Sequence, residues 1–268
     1  MRVLLTNDDG IEAEGLQAMR RALLAIGDVE LAVIAPDGNR SAFARMITTR
    51  RPLWVQEVPF DDGTVGYATD GTPVDCVRLA KLGLIEGFEA EIVIAGINHG
   101  SNLGDDITYS GTVAAALEGI VLGIPALALS QQSSGGGMGY VSGRFNFAFA
   151  GPFTARLVER LVGETMPPET LVNVNLPSCE PTGIEVTRLG KRLYDDELKL
   201  VDEDPETGKL RYEIYGFEPS FKDEAGTDLS AIAQGRISVT PIHFDLTDRG
   251  GLDRLRAIDF EAMLASAV

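Results

Sequence analysis

A chain of 268 residues, 44% hydrophobic and 24% charged, is long enough to bury a full core and too apolar for extended disorder. With 40 acidic against 23 basic residues its formal charge is −17, which opposes a polynucleotide backbone and excludes a nucleic-acid-binding face. A small phosphate ester is not excluded, because a bound cation can reverse the local sign.

Two cysteines, Cys76 and Cys179, and two histidines, His99 and His243, are too few and too scattered for a zinc cluster or a disulfide framework. The opening apolar run is short and ends in Asn7-Asp8-Asp9, unlike a secretion signal. No stretch approaches the roughly 18 apolar residues of a membrane span. A soluble cytoplasmic protein without a membrane partner is expected.

In chain order, Arg2–Thr6 reads as a strand, followed by Leu16, Met19, Leu23 and Ile26 at helical spacing, with Gly27 as the stop. Val29–Ala35 is a second buried strand, closed by Pro36-Asp37-Gly38. Thr72-Pro73-Val74-Asp75 starts a helix, with Thr72 as N-cap, Pro73 at the first position and Asp75 completing a capping box. Glu91–Ile97 is a strongly apolar strand, Thr112–Leu122 an alanine-rich helix and Ala126–Ser130 another strand. Ser133–Gly137 is a low-complexity loop. Near-continuous apolar strands alternating with helices predict an α/β fold with a mostly parallel sheet covered on both faces.

The pattern changes after residue 177, which divides the chain into a core, 1–177, and a β-rich C-terminal extension, 178–268. Ile184–Leu189 and Gly235–Ile242 read as strands, with a hairpin arm near Arg211–Tyr215 and a terminal helix over Leu252–Leu264. The acidic runs Asp195-Asp196-Glu197 and Asp202-Glu203-Asp204 read as solvated surface rather than a metal site. The arm nevertheless carries Leu193, Tyr194, Leu198, Leu200, Leu210, Tyr212, Ile214, Tyr215, Phe217 and Phe221. An apolar surface of that size predicts packing on a second subunit, the alternative being an arm folded back on its own.

In an open parallel sheet, ligands bind beyond the carboxyl ends of the strands. Three such ends here carry unusually polar loops: Asn7-Asp8-Asp9-Gly10, Asp37-Gly38-Asn39-Arg40-Ser41, and Asn98 through Asp106. The last runs into Ser110-Gly111-Thr112, a helix start whose amides and dipole suit an anion. Carboxylates, hydroxyls and an amide oxygen are hard donors that suit Mg²⁺ or Mn²⁺, and a divalent cation beside a helix N-terminus equips a site for phosphoryl chemistry. The dinucleotide fingerprint, the Walker loop and the nucleophile elbow are all missing from the sequence. His99 reads as structural rather than as a general base, and Cys76 as a small buried hydrophobe. Arg40 and Arg45 are open to two readings, as phosphate contacts or as partners of surface acids.

These residues together resemble the survival protein E (SurE) family of nucleotidases. The matching stretches are Thr6–Ile11, Ala35-Pro36-Asp37 with Arg40-Ser41, Gly71–Val77, Gly96-Ile97-Asn98 with Asn102-Leu103-Gly104, Tyr109–Gly119, Asn173–Pro177, Gly226-Thr227-Asp228 and Ser238–Pro241. They run in order to about Asp248, and together they are highly specific. Gly38 and His99-Gly100-Ser101 depart from the family's usual residues without touching an expected ligand.

The resemblance implies a Rossmann-like three-layer core and a smaller C-terminal extension exchanged between subunits of a homodimer, which can pair into a homotetramer. It implies a metal-dependent phosphomonoesterase hydrolysing nucleoside 5′- and 3′-monophosphates. One divalent cation per subunit, Mg²⁺ or Mn²⁺, would be held by Asp8, Asp9, Ser41 and Asn98. Asp8 and Asp9 would be catalytic, activating water, and Asn98, Ser110, Gly111 and Thr112 would bind the phosphate. A covalent aspartate fits less well, since adjacent Asp8-Asp9 is not the Asp-x-Asp of the haloacid-dehalogenase phosphatases. The competing class is a nucleotide sensor that binds without turnover, which could dispense with one carboxylate.

Overall fold

The computed structural model describes residues 1–137, 143–161, 166–195, 197–214 and 220–265. Asp196, Tyr215 and Phe217 of the expected arm lie outside the described residues. The elements run β1 Arg2–Thr6, α1 Glu14–Leu24, β2 Glu30–Pro36, β3 Val55–Pro59, β4 Val65–Thr69, α2 Pro73–Lys81, β5 Ile92–His99, α3 Gly111–Val121, β6 Ala126–Gln131, α4 Phe147–Leu161 and β7 Thr170–Leu176. They continue with β8 Ile184–Val186, β9 Arg192–Leu193, β10 Lys199–Glu203, β11 Leu210–Glu213, β12 Ser220–Phe221, α5 Asp228–Ala233, β13 Ile237–His243, α6 Arg249–Arg256 and α7 Phe260–Ala265.

Nine strands form one sheet in the order β3-β4-β2-β1-β5-β6-β7-β13-β8. It is parallel throughout except where β3 meets β4 and β13 meets β7. The period of two along the strands divides the core. Val3 and Leu5 of β1 with Val33 and Ala35 of β2 face α1 and α4, whereas Leu4, Ala32 and Ile34 face α2 and α3. Three layers result. The segment after residue 177 shares this sheet by returning β8 and β13 to it, and it also builds two small antiparallel sheets, β10-β11 and β12-β9.

The chain moves outward from β1 to β2 on one side and to β5 on the other, so β1 and β5 flank the switch point of the sheet. The predicted capping box is present in full: Thr72 and Asp75 bond each other's backbone N–H groups at the start of α2. Its members also hold a loop. Asp75 accepts the Thr48 N–H at 3.0 Å and the Thr72 hydroxyl donates to the Met46 carbonyl at 2.7 Å.

Two expectations change. Helix α1 ends at Leu24 with a right-handed cap at Ala25, and the left-handed residue is Asp28, not Gly27. The expected single helix at Leu252–Leu264 is two, broken between Arg256 and Phe260. Helix α4, for which the sequence carried no expectation, runs unbroken through Gly151-Pro152 with Ala150, Thr154 and Val158 buried.

Candidate functional site

The loops after β1, β2 and β5 meet the start of α3 at a cleft of about 360 Å³. Asp8, Asp9, Ser41, Asn98 and Ser110 all line it, beside Tyr109 and Phe145. Gly111 and Thr112 do not, and their geometry says why. The Thr112 hydroxyl donates to an Asp8 carboxylate oxygen, and the Thr112 amide donates to the same group. A Cβ on Gly111 would stand 2.7 Å from the Asp8 Cβ and 2.8 Å from its Oδ2. The α3 start therefore encloses Asp8 first, and Ser110 is the part of it that reaches the cleft.

Local turns set each donor. Asn7, fully buried, bonds Gly10 in both directions, its Nδ2 to the carbonyl at 2.9 Å and its Oδ1 to the N–H at 3.2 Å. That turn ejects Asp8 and Asp9 from the end of β1. The Asp8 carbonyl accepts the Arg40 N–H at 2.7 Å, tying the Ser41 loop to the same strand end. Asp9 accepts the His99 N–H at 2.9 Å. The β5–β6 register shifts between Ala95 and Asn98, where Gly96 adopts a φ of +132° and a Cβ would meet the Leu129 carbonyl oxygen at 2.3 Å. The Asn98 Nδ2 donates one hydrogen to the Gly100 carbonyl at 2.9 Å, which orients the amide and leaves its oxygen and a second N–H for the cleft.

Burial pushes the Asp8 carboxyl up to about 6, with the Asp9 charge adding to the rise and the Thr112 hydroxyl opposing it. Burial raises Asp9 as well. Two adjacent carboxylates held this way are under-compensated, and a cation between them would remove the cause. Among the described residues no three His, Cys, Asp or Glu side chains converge as a metal site, so the two carboxylates would share a cation only with the neutral donors Ser41 and Asn98. The four expected ligands that line the cleft, Asp8, Asp9, Ser41 and Asn98, all offer oxygen, the donor that Mg²⁺ or Mn²⁺ accepts, while His99 beside them is turned to the Gly15 N–H.

His99 is structural. Its Nε2 accepts the Gly15 N–H at 3.1 Å, and its ring stacks on Phe145 and Phe147 with centroids 4.9 and 5.1 Å away. Burial lowers its pKa, consistent with a neutral acceptor. Cys76 is fully buried, which drives its thiol up. Both open arginines pair with acids, Arg40 with Asp37 at 2.6 Å and Arg45 with Glu118 at 2.9 Å.

Polar residues that the sequence reading named within its matching stretches and polar loop, but gave no role, support the cleft loop from behind. Asn173 and Asn175, fully buried in β7, each donate to the Asn102 carbonyl at 2.9 Å, and Asn175 accepts the Asn102 N–H at 2.8 Å. Asp228, also buried, accepts the N–H of Gly104 and of Gly190 at 2.8 Å. Asp105 and Asp106 face away from the cleft chemistry and hold the arm's base. Asp106 accepts Arg192 Nε at 2.7 Å and the Tyr194 hydroxyl at 2.5 Å, and Asp105 accepts the Arg192 N–H at 2.9 Å. The signal available was polar residues inside otherwise apolar strands and an acidic pair beyond the cleft loop.

Comparison with known proteins gives one answer. The family model described as "Survival protein SurE" matches residues 3–196. A 5′-nucleotidase SurE of Rubrobacter xylanophilus is 52% identical over 264 residues, covering 97% of each chain. One of Chloroflexus aggregans is 45% identical over 97% of this chain and 100% of its own. The crystal structure of the SurE protein from Aquifex aeolicus superposes with a TM-score of 0.79 at 37% identity, covering 96% of this chain and 98% of that one.

Proposed function

The chain belongs to the survival protein SurE family, and from that premise we propose that it is a 5′-nucleotidase, a metal-dependent phosphomonoesterase that hydrolyses nucleoside 5′- and 3′-monophosphates to nucleoside and phosphate. The observation that carries this reading is the adjacent Asp8–Asp9 pair, held at the sheet's switch point in one cleft with Ser41 and Asn98. Those four residues would hold one Mg²⁺ or Mn²⁺, which supplies Lewis-acid polarisation of a phosphoryl oxygen and of water.

The chain's own groups do the rest. Asp9, the more open carboxylate, orients the attacking water and takes its proton. Asp8 is fixed by Thr112 and keeps its place as the ester turns over. Ser110 and Asn98, at the cleft wall, hold phosphoryl oxygens, and the α3 dipole adds positive potential where their charge develops. Retention of both carboxylates favours turnover over a sensor that only binds.

The test is phosphate release from a panel of nucleoside 5′- and 3′-monophosphates, in Mg²⁺ or Mn²⁺ and again after chelation. Release that requires the metal is expected. Nucleotide binding without release would make the protein a sensor.

The C-terminal arm supports a homodimer or homotetramer. Its base folds on its own chain through Asp105 and Asp106, but the β10–β11 hairpin is exposed along its whole length, with Leu200, Leu210 and Tyr212 about half in solvent. The terminal helices likewise expose Leu255, Phe260, Met263 and Leu264. Monomers rarely leave that much apolar surface bare. Replacing residues 198–213 by a short Gly-Ser linker should give a monomer by light scattering. An unchanged oligomer mass would move the interface to α6 and α7.

A further inference from the structure

Ser41 reaches the cleft from an extended loop, residues 39–51, that has no regular structure of its own. The loop contains two alanines in the left-handed region, Ala42 at φ 60° and Ala44 at φ 50°. That conformation is unfavourable for a residue with a Cβ and persists only where the surroundings impose it. Backbone bonds hold the loop in part: Ala44 N–H to the Tyr109 carbonyl at 3.2 Å, and the two bonds to the α2 capping box.

Arg45 follows directly on the second strained alanine. Its guanidinium lies 2.9 Å from Glu118 Oε2 and 4.7 Å from the centre of the Phe244 ring. Glu118 stands on α3, the helix whose first turn encloses Asp8, and its side chain is only 1% exposed. Its other oxygen pairs with Arg78 of α2 at 2.6 Å. A buried carboxylate needs such partners, and only the Arg45 contact is a hydrogen bond; Arg78 lies against the other oxygen as a charge without one. The two arginines differ in what they carry. Arg78 joins one helix to another, whereas Arg45 joins the Ser41 loop to the helix beneath the site.

We propose that Arg45 is a positioning residue for the cation site: clamped between Glu118 and Phe244, it holds the strained 41–45 turn so that Ser41 faces Asp8 and Asp9. It touches neither substrate nor cation and acts through the loop. The proposal rests on the cation reading given above.

Arg78 supplies the control, since Arg78→Ala removes the same charge from the same acid without touching the loop. Mn²⁺ binding measured by calorimetry should weaken roughly tenfold or more in Arg45→Ala, the scale on which outer-shell supports of metal ligands act. It should stay within about twofold of wild type in Arg78→Ala, with both variants losing similar thermal stability because each leaves Glu118 half-paired. Arg45→Lys, which keeps the charge but not the planar stack on Phe244, should recover part of the affinity. Hydrogen exchange should rise across residues 41–47 in Arg45→Ala and not in Arg78→Ala. Equal effects of the two alanine variants on metal binding and on loop exchange would reduce Arg45 to a stabilising ion pair and overturn the proposal. If wild-type protein takes up no Mn²⁺, or Asp9→Asn binds it unchanged, the cation reading fails instead, and the exchange comparison still decides what Arg45 does to the loop.

Discussion

Replacing Asp9 by asparagine should abolish turnover while leaving the fold intact. The asparagine side-chain oxygen can still accept the His99 N–H that Asp9 takes at 2.9 Å, so the β1 and β5 ends stay joined. What disappears is one negative charge that a hard divalent cation needs and one acceptor for the proton of the attacking water. A loss of roughly 10²–10³-fold or more is expected, the range seen when one preorganised electrostatic group is removed from a site.

The metal-free stability should move the other way. Asp8 rises from 3.8 to about 6 in the folded chain, through burial first and the Asp9 charge second. A carboxyl raised on folding contributes stability that is present at low pH and lost as pH climbs through the folded value. In chelator, wild type should therefore lose stability between 3.8 and about 6, and Asp9→Asn should show a shallower loss and a higher melting temperature at neutral pH. Near-normal rates at saturating Mn²⁺ would take Asp9 out of the ligand set, and an unchanged pH slope would remove its charge from the causes of the Asp8 shift.

Gly111→Val should be the next most damaging change. The first added carbon already falls within 3.0 Å of three Asp8 atoms, and Asp8 cannot retreat without losing the Thr112 hydroxyl and amide. Overpacking of this kind costs about 1–3 kcal/mol of stability. The larger consequence is for the site, because the carboxylate is displaced at its closest support. Mn²⁺ affinity and turnover should fall together, with Gly111→Ala intermediate. If Mn²⁺ binding survived and only inhibition by free phosphate weakened, the glycine would be serving the anion directly rather than making room for Asp8.

Much of the frame is legible in the sequence because its causes are local. The buried strands of the parallel sheet announce themselves as short apolar runs, and the Thr72–Asp75 cap needs only four residues to specify itself. The β3–β4 hairpin does not, since β3 is mostly exposed and carries Gln56, Glu57 and Pro59. Its strand character comes from pairing with β4, which itself lies along β2. The same division runs through the site. Asp8 and Asp9 are visible because a strand end in a parallel sheet is where ligands bind. The supports are not, because their partners are distant: Asn175 meets Asn102 across 73 residues and Asp228 meets Gly104 across 124. Gly111 shows the limit from another side, since a glycine opening a helix suggests an approaching anion, and only the fold reveals the carboxylate occupying that space.

The tether from Asp228 to Gly104 also sets an order of events during synthesis. Residue 104 leaves the ribosome 124 residues before its partner. At about 5–20 residues per second that is a delay on the order of ten seconds. Strands β1, β2 and β5 can pair from the start of that interval and β6 joins them once residue 131 has emerged, while the stretch leading into α3 waits for the carboxylate that will fix it. The nascent chain thus carries both aspartates of the cleft long before the far wall is locked, and the last β-strand of the central sheet, β13, follows Asp228 within the next few residues. Completion of the cleft wall and closure of the sheet therefore both wait for the last quarter of the chain.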